Sequence, residues 1–150
     1  MNARDLATHN LPVILPTYLI GLWLLISAIV SYIGGWFSLS RAFCAPDEFK
    51  GPKWKFQSGR MRWGTNYGSI LTLGANQDGL YLAVMPLFRF MHPHLLVPWN
   101  EIKVRRSKGR LFEYVTFLMG HEVSIPLKVL GKVASKLRDI AGSSWPMEET

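Results

Sequence analysis

Residues 10–40 read NLPVILPTYLIGLWLLISAIVSYIGGWFSLS, with no Asp, Glu, Lys or Arg anywhere. As a helix, Val13–Trp36 extends about 36 Å, against roughly 30 Å of bilayer hydrocarbon. The stretch is therefore long enough to span. Tyr18 and Trp23 toward one end, and Tyr32, Trp36 and Phe37 at the other, suit an interfacial aromatic belt, and Gly21, Gly34 and Gly35 are better tolerated in lipid than in a soluble helix. The expected organisation begins with a short tail over 1–10 and a transmembrane helix over 11–37.

The chain has 150 residues and is 49% hydrophobic, but much of that apolar content lies in this one block. A cleaved signal peptide needs a basic start, a shorter apolar run and a small-residue cleavage site. Here Arg4 sits beside Asp5, and the run ends in bulky GGWFSLSRAF, so an uncleaved anchor fits better. A buried hairpin of a soluble protein would need a larger body to cover it. Arg4 is the only Lys or Arg before the span, whereas Arg41, Lys50, Lys53 and Lys55 follow it, which places the C-terminal region in the cytoplasm of a single-pass plasma-membrane or inner-membrane protein. Cys44 is the only cysteine, so no internal disulfide forms.

Residues 38–51 form a juxtamembrane segment. Within FSLSRAFCAPDEF (37–49), Leu39 and Phe43 recur at helical spacing beside Arg41, consistent with a short interfacial helix ending before Pro46 or with a simple linker. Beyond it the pattern shifts to short alternating runs. In KWKFQSGRMRW (53–63), Ser58-Gly59 marks a bend or bulge. SILTLGA and the run from Leu80 are strands that meet at an Asp78-Gly79 turn. EIKVRR, RLFEYVTFL and EVSIPL follow as strands separated by SKGR and MGH. RLFEYVTFL carries apolar side chains on both faces, so part of the sheet needs cover on two sides. LKVLGKVASKLRDIAG then changes to period 3.6, with Leu127, Leu130, Val133, Leu137 and Ile140 as its apolar stripe. The fold class expected is mainly β: a transmembrane helix, then six or seven antiparallel strands forming a barrel over 52–141 with a C-terminal amphipathic helix, then a polar tail over 142–150.

Three stretches, LTLGANQDGLYLAV (71–84), LLVPWNEIKVRR (95–106) and VSIPLKVLGKVASKL (123–137), resemble a pleckstrin-homology-like or GRAM-like barrel. The whole is similar to small bacterial membrane-anchored proteins with an "FRF…HP…L…PW…I" core. The resemblance implies a non-enzymatic binding, scaffolding or regulatory module and assigns no ligand.

LFRFMHPHLLVPWNEI (87–102) is the densest chemical stretch. His92 and His94 flank one proline, but zinc needs three or four protein ligands. His9 lies before the span, His121 is in a turn, and no CxxC, HxxxH or HExxH occurs. Neither a metal nor a cofactor is expected. Pro93 and Pro98 suggest a rigid path, and Trp99 is a large anchor whose indole N–H needs a partner. His92 and His94 satisfy this connection or serve as recognition residues. Glu101, Glu113 and Glu122 make no catalytic pair by their spacing, and no nucleophile elbow or phosphate loop is present. An enzyme using His92, His94 or Glu101 is the weaker alternative.

The net charge of +7 resides after the span in two clusters: Lys50, Lys53, Lys55, Arg60 and Arg62, then Lys103, Arg105, Arg106, Lys108 and Arg110. Near an anionic leaflet each such residue contributes on the order of 1 kcal/mol. Anionic lipid is the expected partner. A protein partner or homo-oligomer is the alternative, resting on small residues along the span and an open sheet edge. Nucleic acid is disfavoured by the membrane tether.

Overall fold

The computed structural model describes residues 3–46 and 48–149, with residues 3–9 described by backbone alone. Helix α1 (Ala3–Gly34) contains the apolar block and accommodates Pro12 and Pro16. It begins at Ala3, so residues expected as a tail continue the helix; Met1 and Asn2 lie outside the described residues. Gly35 then breaks it at φ +87, a left-handed conformation open chiefly to glycine. A Cβ there would also stand 2.7 Å from the Ile125 side chain. The chain turns directly into α2 (Trp36–Phe43), whose Trp36 and Leu39 are fully buried. Burial of side chains this size stabilises by about 1.5–3 kcal/mol each, so α2 is fastened to the domain and is not a loose linker.

Eight strands follow: β1 (Lys53–Arg60), β2 (Asn66–Ala75), β3 (Gly79–Val84), β4 (Leu95–Pro98), β5 (Ile102–Lys108), β6 (Glu113–Met119), β7 (Ile125–Leu130) and β8 (Glu148–Glu149), with helix α3 (Gly131–Ala141) before the last. They form one curled sheet, a half-barrel, in the order β4-β3-β2-β1-β7-β6-β5-β8. Neighbours are antiparallel except β5 and β8, which run parallel. Two expectations are corrected. The chain is mixed helix and strand rather than mainly β, because α1 alone has 32 residues, and among the described residues the strands number eight rather than six or seven.

The β2–β3 turn falls at the expected place. The Asn76 side-chain oxygen accepts from the amides of Asp78 and Gly79 at 2.9 and 3.0 Å, which turns the chain through a side-chain bond. Gly79 is required by proximity, since a Cβ there would lie 2.3 Å from the Val97 carbonyl oxygen on β4. The indole of Trp99 donates to the Asn76 carbonyl at 2.9 Å, so its polar edge finds the partner it needs. The register of β1 against β2 shifts on either side of Gln57, two irregularities around the predicted Ser58-Gly59 bend.

The core lies inside the curl, with Leu71, Leu73, Leu82, Leu95, Val104, Phe117 and Leu127 all fully buried. Strand β3 is buried on both faces, and Phe49 stacks on its outer Tyr81 with ring centroids 4.4 Å apart. The apolar stripe predicted for the last helix is also revised. Leu127 and Leu130 belong to β7, and the buried face of α3 is Ala134, Leu137 and Ala141. Ile140 is exposed.

The C-terminal segment packs as well. Trp145 lies against Trp99 and Phe117, with centroids 5.4 and 5.7 Å away, and β8 then pairs Val104 with Glu148 and Arg105 with Glu149. The expected polar tail is an integral edge of the sheet.

Candidate functional site

His92 and His94 stand two residues apart and go to different places. His92 is 2% exposed. Its Nδ1 is 2.9 Å from the Phe90 carbonyl and its Nε2 is 3.1 Å from the Tyr67 hydroxyl. A carbonyl only accepts, so Nδ1 carries the proton and Nε2 accepts from the tyrosine. Burial lowers the His92 pKa from its ordinary value and raises that of Tyr67, which keeps both rings neutral. Trp36 completes the group: its ring meets His92 edge-on at 5.2 Å, and its indole donates to the Pro93 carbonyl at 2.9 Å. Ser31 on α1 donates to the Met91 carbonyl. This His-Pro segment therefore clamps α1 and α2 to the sheet. His92 does not lie at the surface where a recognition residue would.

His94 hydrogen-bonds to the Tyr81 hydroxyl at 3.0 Å and lines a cleft of about 280 Å³ with Lys53, Lys55, Phe56, Arg89 and Pro86. Three cations converge there, and among the described residues no carboxylate lines the cleft. The Lys53 ammonium lies 5.5 Å from the Tyr81 ring centre. Burial raises the Tyr81 pKa, and the charge of Arg89 works against that shift. A set of cations around a hydroxyl and an imidazole has the donors to hold a phosphate or carboxylate group.

Arg89 was not among the candidate residues, because it lies in neither basic run; only the fold brings it to Lys53 and Lys55. Arg60 and Lys128 line a separate opening at the β1–β7 seam, where Arg60 faces Lys128 in register. Arg62 lies over the ring of Trp63. Lys50 gives its carbonyl to the Asn76 side chain.

The second cluster meets the C-terminal acids. Arg106 forms two bonds to Glu148, at 2.7 and 2.9 Å. Lys103 and Arg105 pair with Glu149 at 3.0 and 3.6 Å, and Arg138 also reaches Glu148. Lys108 and Arg110, at the end of β5 and in the turn after it, are exposed. Three of the five predicted lipid-facing residues in this cluster thus face their own chain.

Glu101 is bound to His121, whose Nδ1 is 2.6 Å from its carboxylate and whose amide donates to the same oxygen. Those bonds hold Glu101 below the usual carboxylate range. Tyr67 and the Phe90 carbonyl thus meet His92, Tyr81 bonds to His94, and His121 holds Glu101. Among the described residues, no three His, Cys, Asp or Glu side chains are grouped to hold a metal ion. Pro93 and Pro98 bracket β4, and Pro98 is half-buried beside the buried Trp99. Compared with protein families, curated proteins and solved structures, the chain matches none.

Proposed function

We propose that the chain is a single-pass, membrane-anchored, non-enzymatic binding module, with α1 across the bilayer and a PH-like domain on the cytoplasmic face whose Lys53-Lys55-Arg89 cleft takes an anionic, phosphate-bearing group. The span reading is supported by the 25-residue segment Asn10–Gly34, apolar on average, long enough to cross a membrane and largely uncovered by the rest of the chain. The PH-like reading is supported by the curled sheet followed by α3. Orientation follows from the basic residues after the span.

The observation that carries the binding role is the convergence of three cations, Tyr81 and His94 in one cleft that no acidic side chain lines among the described residues. The test is the full chain in nanodiscs of phosphatidylcholine, with or without phosphatidylglycerol, with the His94 imidazole followed by NMR. In a separate arm, inorganic phosphate is titrated into the neutral discs. A His94 shift with anionic lipid, absent in Lys53→Glu/Lys55→Glu, supports a headgroup; a shift with phosphate alone identifies a free anion. A His94 signal indifferent to both removes the reading.

A further inference from the structure

Lining up α1 with a bilayer exposes a mismatch that the sheet domain resolves. About 20 helical residues are needed to cross roughly 30 Å of hydrocarbon. The stretch Asn10–Leu22 is exposed at every position, yet it covers only about 20 Å. Extending the crossing toward the N-terminus to about 20 residues would start it at Ala3, drawing the charged Arg4 and Asp5 into the edge of the hydrocarbon and the polar His9 and Asn10 inside it. Counting instead from Leu11, about 20 residues reach Val30.

The segment from Trp23 onward is where the domain packs on the helix. Trp23 meets Phe88 with ring centroids 6.2 Å apart, and Ser31 donates to the Met91 carbonyl. The loop between β3 and β4 therefore lies beside the part of α1 that must occupy hydrocarbon.

Its composition suits that position, and so do the internal partners of many of its carbonyls. Leu87, Phe90 and Met91 are 63%, 45% and 42% exposed, three large apolar side chains on one short loop. Backbone polar groups in hydrocarbon must be satisfied by the protein itself. Here the carbonyls of Met85, Pro86 and Arg89 accept from the amides of Phe88, Arg89 and His92. Those of Phe90, Met91 and Pro93 accept from His92, Ser31 and Trp36 side chains. Pro86 and Pro93 have no N–H to satisfy. A recess of about 490 Å³, lined by Ala28, Ile29, Tyr32, Ile33, Phe37 and Met91, continues the same apolar surface along α1.

We infer that the loop Pro86–Met91 is a wedge inserted into the acyl layer of the leaflet that faces the domain. Lipid chains cover Leu87, Phe90 and Met91 and fill the recess beside α1. Arg89, the only charge on the wedge, extends along its stem to the headgroups, which places the cleft it lines at the polar boundary.

This inference rests on α1 spanning the bilayer, and the experiment separates the two. In full-length protein with Cys44→Ser, single cysteines are placed at Leu87→Cys, at Leu19→Cys on the exposed span, and at Gln77→Cys in the turn at the opposite end of β3. Each is labelled with an environment-sensitive fluorophore in phosphatidylcholine vesicles. The Leu87 and Leu19 probes are expected to be quenched by acyl-chain spin-labelled lipid and shielded from aqueous iodide, with the Gln77 probe behaving in the opposite way. A Leu87 probe that follows Gln77 while Leu19 stays shielded overturns the wedge and leaves the span standing. A Leu19 probe open to iodide overturns the span itself.

Discussion

The Tyr67 hydroxyl lies 3.1 Å from Nε2 of His92, inside a group that also contains the fully buried Trp36. This bond ties β2 to the segment before β4, and the Trp36 ring of α2 packs against both partners. Its donor and acceptor are both withdrawn from water, so neither has a substitute partner if the other is removed.

Tyr67→Phe keeps the ring contacts and strands the His92 nitrogen. A buried acceptor left without its donor costs about 1–3 kcal/mol. Denaturant unfolding of the detergent-solubilised full chain is expected to show that loss. A midpoint equal to wild type contradicts the assigned bond.

The same histidine makes stability depend on pH. Its folded pKa is lowered by burial, so the unfolded chain takes up a proton first as pH falls below about 6.5. The neutral-ring contribution is complete above that value and is lost on acidification toward the folded pKa. Unfolding midpoints measured across pH 5 to 8 are expected to fall on the acid side in wild type and to be flatter there in His92→Gln. Equal slopes in the two proteins exclude His92 as the source.

Gly79→Ala sets a Cβ against backbone, the Val97 carbonyl 2.3 Å away, and backbone in a paired strand has little room to give. A loss of about 1–3 kcal/mol, the usual scale for overpacking, is expected. Gly21→Ala, inside α1 with nothing within 4 Å, serves as the control and should not destabilise. Equal behaviour of the two variants contradicts the close β3–β4 approach.

Glu148 and Glu149 have carboxyl pKa values held down by Arg106 and Lys103. The ion pairs are complete across the ordinary carboxylate range and above it, and are lost only as pH falls below that range through the lowered folded pKa values. Hydrogen exchange at Val104–Arg106 is expected to accelerate in Glu148→Gln/Glu149→Gln and in wild type at high salt, since these pairs are exposed and screened. Unchanged exchange in both means that β8 is held by Trp145 packing alone.

What the sequence revealed, and what it hid, follows sequence separation. The Asp78-Gly79 turn and the β1 irregularity are local events, and both are legible. The need of the Trp99 indole for a partner is legible too, although its acceptor, Asn76, lies 23 positions away. The Leu127–Leu130 stretch satisfies both a two-residue and a 3.6-residue period, so the β7–α3 boundary is ambiguous until β6 claims Leu127 opposite Phe117. Arg89 joining Lys53 and Lys55, and Glu148 meeting Arg106 across 42 positions, depend on sheet order and carry no local signal. The burial of His92 depends on Trp36, which the apolar run disguises as one more belt aromatic.

Gly35 joins α1 to α2 with no spacer, and Ser31, Trp36 and Leu39 are then gripped by the sheet. Such a joint leaves the domain no tether length over which to search. In the proposed membrane-anchored arrangement, a module mounted this way would sample only the annulus of lipid around its own helix, and lateral diffusion past a stationary cleft, rather than domain swing, would set how often it meets a new headgroup.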